Sequence, residues 1–510
     1  MKTIKIISLW FLACTLLIAC SEFDEINTNP DKPLDATATL MATRLIWNMA
    51  GSDAAKTFSY DYQRGKYLGW AEGASSEQYN FFGRMGFDYT ILTTGQKMVI
   101  KAESSPQYES YVGLHKFMKA YKLFNLTLKV GDIPYSETLK GEEGISKPKY
   151  DTQKEVMLQV LRDLDEAYAH FETAGKVKFD GDFIYGGDNS KWQMMISVFQ
   201  MRVLLTLSKK VDDADLKVKD RFRDVVSKQK HFESNNDNFQ IVYKNQDGMI
   251  NPFHHTRTKH AHYALMSTVL IDSLKKYEDY RMFYYASPAE YFVETENKPV
   301  DSWEAFAGVD ITLPFNEMGV IASSNKCSRL NKRYTEKEEG EPFAKMRYSD
   351  MNFYLAEAAL RNWINGDANT YYLKGIEADM KFKQSYMIDD VKYHYGRVIT
   401  DQYIADYIAK PEIQLTGNFE DKLNKIITQK YLSNFLQVYE LEAYMDYRRT
   451  GYPKFPINPE TNQNLVTDKI PTRFMYPKSE MDYNTDNVVE AIQRQFDGND
   501  EVNQLMWILK

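Results

Sequence analysis

The chain has 510 residues, with 63 basic against 71 acidic side chains and a formal net charge of −8. That balance gives no global attraction to nucleic acid or to an anionic membrane face. A chain this long has ample core available, since a 300-residue domain already buries about 75% of its unfolded surface. The unusual feature of the composition is aromatic: 36 Tyr, 28 Phe and 7 Trp. Tyr is amphipathic and common at wet binding surfaces, so part of this surplus points to a ligand.

In chain order, Lys2 and Lys5 form a positive start, an apolar run begins at Ile6, and Leu17-Ile18-Ala19-Cys20 closes it. This is the pattern of a bacterial lipoprotein signal. The run is shorter than the about 20 residues that span a bilayer. The expectation is cleavage after Ala19 and acylation of Cys20 by several chains, because one chain anchors a protein only marginally. Residues 1–19 are then signal, and residues 20–36 are the lipidated N-terminus and a polar, turn-rich tether. Residues 37–510 form one large domain, with no linker clean enough to divide them. Cys14 leaves with the signal and Cys20 is acylated, so Cys327 stands alone. That excludes an internal disulfide and a cysteine-ligated metal site.

The periodicity predicts helices over Ala38–Met49 and Tyr108–Lys129, the latter with Tyr111, Leu114, Met118, Tyr121 and Leu128 on one face. Gly131-Asp132-Ile133-Pro134 stops it. Thr152 and Glu155 make a capping box that opens a helix to about Phe171. Further helices are expected over Ser190–Lys210, Ala214–Lys230 and Ala261–Tyr277, and a strand over Asn238–Lys244. Ser349–Asn365 is a strong helix with Ala356, Ala358 and Ala359 on a small-residue face. Asn365-Gly366 ends it and Ala368–Phe382 forms its partner, a unit of roughly tetratricopeptide length, about 34 residues. A last long helix is predicted over Asn418–Arg448. Residues 60–88, 285–345 and 451–484 break the helical pattern with glycines, prolines and rings. Long loops in a compact domain are functional or disordered, and their aromatics argue against disorder. The fold class read from this order is mainly α: degenerate tetratricopeptide-like repeats supporting a loop-rich ligand-binding region.

Several strings together resemble one family. They are the acidic Ser21–Glu25 with Asn27-Thr28-Asn29-Pro30, Gly131-Asp132-Ile133-Pro134-Tyr135-Ser136-Glu137, Asn251-Pro252-Phe253, and Arg347-Tyr348-Ser349-Asp350 before Leu355-Ala356-Glu357-Ala358-Ala359. Lys425–Lys430, Asp446-Tyr447-Arg448-Arg449-Thr450-Gly451-Tyr452-Pro453 and Arg473-Phe474-Met475-Tyr476-Pro477 continue the series. In this order the chain resembles the SusD/RagB family of outer-membrane nutrient-binding lipoproteins, in its SusD-like subgroup. The acidic cluster after Cys20 resembles the surface-export signal of Bacteroidetes lipoproteins. The resemblance implies a non-enzymatic, cell-surface, lipid-anchored binder that captures oligosaccharides, or in some members peptides. It also implies a SusC-like TonB-dependent transporter as partner. Ligand residues vary within the family, so the resemblance hands over no site residue.

A sugar presents an apolar C–H face to an aromatic ring and hydroxyls to amides and charges, so a site needs rings on loops beside polar groups. Two stretches meet that demand. One holds Trp70, Tyr79 and Phe81 with Glu72, Gln78 and Asn80. The other holds Tyr291, Phe292 and Trp303 with Glu294, Asn297 and Asp301. Trp70 and Trp303 are the first choices, since Trp offers the widest platform, although any one of these rings also fits a place in the core. Two basic groups stand out in an acidic protein: Arg257 and Lys259 among His254, His255, His260 and His262, and Lys326, Arg329, Lys332 and Arg333. Arg257, Lys259 and Arg329 are candidate contacts to an anionic ligand group, with a solvated surface as the alternative. No metal or cofactor is expected: HExxH is absent, and Asp180-Gly181-Asp182 departs from the calcium-loop pattern. P-loop, GxGxxG and GxSxG motifs are absent too, and no catalytic residue is assigned. The competing readings are a peptide binder of the same fold, a lipid-anchored polysaccharide-active enzyme, and a helical scaffold.

Overall fold

The computed structural model describes residues 36–51, 58–72, 76–258, 260–438 and 441–510. The signal, Cys20, the tether and Lys259 lie outside the described residues. Among the described residues no helix is long and apolar enough to cross a membrane.

The helices form where their caps and apolar faces direct. Ala38–Ala50 starts at Thr37, whose Oγ1 accepts from Leu40 N, and it buries Ala42, Leu45, Ile46, Met49 and Ala50. Tyr108–Val130 packs along Gln153–Ala174, which packs on Asn189–Thr206. The capping box at Thr152 is present: its Oγ1 accepts from Glu155 N, and Glu155 Oε2 accepts from Thr152 N at 2.8 Å. The stop at Gly131 has φ +101° and ψ −125°, a backbone conformation that suits glycine and strains any residue with a Cβ. Tyr348–Leu360 and Ala368–Ser385 form the expected pair, with Ala356, Ala358 and Ala359 buried. A Cβ at Gly375 would sit 2.9 Å from the Phe353 ring, which is how closely this pair approaches.

Three expectations need correction. Ala261–Tyr277 is not one helix. Residues 264–266 are taken by a strand, and Ser267 then caps Thr268–Lys276 by accepting from Leu270 N. Asn418–Arg448 is two helices, Phe419–Ser433 and Glu442–Thr450. Between them Leu436, Val438 and Leu441 have positive φ, and Val438 N donates to Ala344 O at 3.1 Å. Tertiary pairing there overrides a helix-compatible pattern. Helices Thr90–Ala102 and Asp401–Ala409 were not expected at all.

A small four-stranded antiparallel sheet connects the loop-rich half. Its order is Leu68–Trp70, Ala264–Met266, Arg329–Leu330, Ala286–Ser287. A second ladder pairs Phe239–Ile241 with Phe343–Met346. The repeat half is tied by buried ion pairs. Asp379 bridges two arginines, accepting from Arg281 at 2.8 Å and Arg347 at 3.0 Å, with all three side chains fully buried. Arg281 also grips Asp279 at 2.6 Å, and Arg347 grips Asp350 at 2.8 Å. Nearby, Glu341 accepts from Arg333 at 2.7 Å and from Lys383 at 2.6 Å. The Arg347-Tyr348-Ser349-Asp350 string is therefore a helix start locked into an ionic core.

Candidate functional site

The small sheet gathers the segments singled out in the sequence, but not at one point. Leu68 pairs with Met266 and Trp70 with Ala264, while Ser287 pairs with Arg329. This register sends the chain after Trp70 and the chain before Ala264 to one end. The Tyr291–Trp303 stretch and the chain before Arg329 lie at the other.

Trp70 and Tyr79 are corrected by their burial. Trp70 is 1% exposed, its Nε1 donates to Glu72 O at 2.8 Å, and its ring edge meets Tyr263. Tyr79 is 7% exposed and donates its hydroxyl to Leu313 O at 3.0 Å. Lys66 holds the same loop from beneath, with Nζ donating to Gln78 O at 2.7 Å and Asn80 Oδ1 at 2.8 Å. Both rings are framework, because the strand and the Lys66 clamp draw them inward. Phe81 is exposed. Tyr291 is half-buried, with Lys326 Nζ 4.5 Å above its ring and Phe292, also half-buried, against its edge. Trp303 is half-buried and packs 5.0 Å from Phe283. Arg329 is half-buried in a cavity of about 110 Å³ with Glu290, Asn325, Cys327 and Lys332. Arg333 is buried in its pair with Glu341 and faces no ligand. Arg257 is exposed, and it lines a different and larger cleft.

That cleft holds about 400 Å³ between the Ala38–Ala50 helix, the loop at 183–184, and the chain from Gln240 to Pro252. Trp47 and Phe183 stand at its edge, 54% and 45% exposed, with ring centroids 6.1 Å apart and planes at 47°. Gln240, Lys244 and Arg257 supply polar groups, and Ile184, Val242 and Met249 apolar wall. Each part is fixed locally. Trp47 lies off the buried stripe of its helix, so the helix itself turns the indole outward. Asp182 shapes the Phe183 loop: Oδ1 accepts from Ile184 N at 3.0 Å and Tyr185 N at 3.1 Å, and Oδ2 accepts from Gly187 N and Trp192 Nε1. This gives the Asp180-Gly181-Asp182 run a structural role. Thr43 Oγ1 donates to Gly181 O at 2.9 Å, and a Cβ at Gly181 would strike Thr39 O at 2.3 Å, so the loop is pinned to the helix. Lys244 N donates to Met249 O at 2.9 Å and closes the far wall as a tight turn. The arrangement suits stacking on a flat apolar face with hydrogen bonding around it. Among the described residues no three His, Cys, Asp or Glu side chains converge to hold a metal.

A family model described as "Starch-binding associating with outer membrane", SusD-like, matches residues 41–477. The chain belongs to the SusD-like family. A SusD homologue of Bacteroides fragilis is 48% identical, with 93% of this chain and 100% of that one covered and a TM-score of 0.90. An outer-membrane protein of Bacteroides vulgatus assigned to nutrient binding is 28% identical over 93% and 100% of the two chains, with a TM-score of 0.82. A chitin-binding protein is 25% identical over 92% and 99%, with a TM-score of 0.71. No curated protein matches the chain. The helical fold expected from the sequence is therefore that of SusD-like structures.

Trp47, Phe183, Gln240 and Lys244 were not singled out in the sequence. One signal was available for Trp47. The apolar stripe of its helix runs through Ala42, Leu45, Ile46 and Met49, and a Trp off that stripe faces water. Nothing comparable marks Phe183, whose place depends on the Asp182 turn.

Proposed function

We propose that this SusD-like chain is a cell-surface lipoprotein, anchored through Cys20, that captures oligosaccharides at the Trp47 cleft. A SusC-like TonB-dependent transporter receives them. The observation that carries the reading is an exposed Trp–Phe pair beside amide and cationic groups over an open cleft of about 400 Å³. Family membership and the chitin-binding relative support a glycan as cargo. Phe81, Tyr291 and Phe292 lie outside this cleft and stand as separate candidate ring contacts, with Trp303 a less open one. The protein holds its cargo without chemistry, as a carrier serving a pore.

The test is calorimetry on the mature lipoprotein in detergent, titrated with starch, chitin and plant cell-wall oligosaccharides. At least one should bind, and Trp47→Ala should weaken it at least about tenfold, about 1.4 kcal/mol, as for truncation of an aromatic anchor. Unchanged affinity in that variant removes the cleft from the reading. Binding of peptides in place of glycans changes the cargo, and release of shorter sugars on incubation replaces the carrier with an enzyme.

A further inference from the structure

The Trp47 cleft differs from the rest of the molecule in charge. Its wall contains two cations, Lys244 and Arg257, and no carboxylate. The protein as a whole is acidic, at −8. Elsewhere several cations are committed to the core: Arg281, Arg333, Arg347, Lys383 and Arg449 all sit in buried ion pairs. Lys244 and Arg257 are both exposed, and among the described residues neither has an ion pair or a side-chain hydrogen bond. Asp247, on the same turn as Lys244, is exposed and does not line the cleft.

A neutral glucan would satisfy the rings and offer both cations only hydroxyl oxygens, leaving their charge unmatched. A sugar carrying a carboxylate uses all of the wall at once: the indole takes its C–H face, and the guanidinium offers a planar fork to the two carboxylate oxygens. We propose that this cleft selects acidic saccharides, namely oligosaccharides bearing uronate residues, with Arg257 and Lys244 meeting the carboxylate beside the Trp47 ring. The proposal rests on the capture reading and names its substrate class.

The experiment compares a linear galacturonate tetramer with its fully methyl-esterified form, which keeps the rings and removes the charge. Both are titrated into the mature lipoprotein in detergent and into the Trp47→Ala and Lys244→Gln/Arg257→Gln variants, at low and at physiological salt. All substituted residues are exposed, and thermal melts check that the variants fold. The acid should bind at least about tenfold more tightly than the ester. That gap should close in the double variant and narrow with salt, while Trp47→Ala weakens both ligands. If acid and ester bind alike and both respond to Trp47→Ala, capture at the cleft stands and acid selection is overturned. The same holds if only neutral glycans bind and respond to that variant. An acid preference unmoved by the double variant overturns the assignment to Lys244 and Arg257. If no glycan binding responds to Trp47→Ala, the capture reading falls and the acid proposal falls with it.

Discussion

Lys66 is fully buried and donates only to neutral acceptors, Gln78 O and Asn80 Oδ1. Burial, with Arg64 nearby, pulls its pKa down to about 7. In the unfolded chain the group titrates near 10.4. Between these values the unfolded state binds the extra proton, so the fold gains stability as pH rises from about 7 towards 10. Comparing denaturant midpoints of the wild type and Lys66→Met between pH 7 and 9 isolates this group. The wild type should gain on the variant as pH rises, and parallel curves would show that Lys66 does not titrate there. Asp379 is the opposite case, a buried anion between two guanidinium groups. Asp379→Ala strands both arginines in the core and should cost about 3–5 kcal/mol, read as a fall in denaturant midpoint. Residue roles were the least legible part of the sequence. Trp70 and Trp47 look alike as letters. One ends an edge strand of the small sheet and is sealed by Gln78 and Tyr263, while the other sits off the apolar stripe of a helix. Only the second of these could have been read from spacing.

Elements were legible where the signal is local. Thr152 and Glu155 are three residues apart and cap the same turn, so the box could be read directly, as could the Gly131 stop and the Ala-rich face at 356–359. Thr152→Ala should cost about 1 kcal/mol, measured as a lower denaturant midpoint with an unchanged slope, since one cap is lost and no core surface is exposed. Elements were lost where distant partners decide. Residues 264–266 leave the helical pattern because Leu68–Trp70 and Arg329 pair with them, and the chain breaks after Ser433 because Val438 binds Ala344. The cleft has the same origin: helix 38–50, the loop at 183 and the turn at 244–249 are far apart in sequence, and no periodicity announces their meeting.

At the scale of the whole molecule, the repeat half is fastened by carboxylates that stay ionised deep inside. Burial alone would raise Glu341, Glu357 and Glu442, but their cationic partners outweigh it and bring each down to about 2. These folded values lie below the unfolded one, so their contribution is present above about pH 4.5 and is lost as pH falls towards 2. His115 acts in the same direction. Burial and Lys119 lower it to about 4, so the fold loses stability as pH drops from about 6.5. Melting temperature should therefore fall steeply below about pH 5, and a flat profile down to pH 3 would contradict the buried network.

The lone described thiol, Cys327, is sunk among Leu265, Val309, Ile311 and Met318. Dithiothreitol thus finds no crosslink to sever among these residues, and an oxidant finds no second thiol to join. Changes in thiol–disulfide poise therefore leave the covalent frame of the described residues unaltered, whereas acid attacks the ion pairs that hold it.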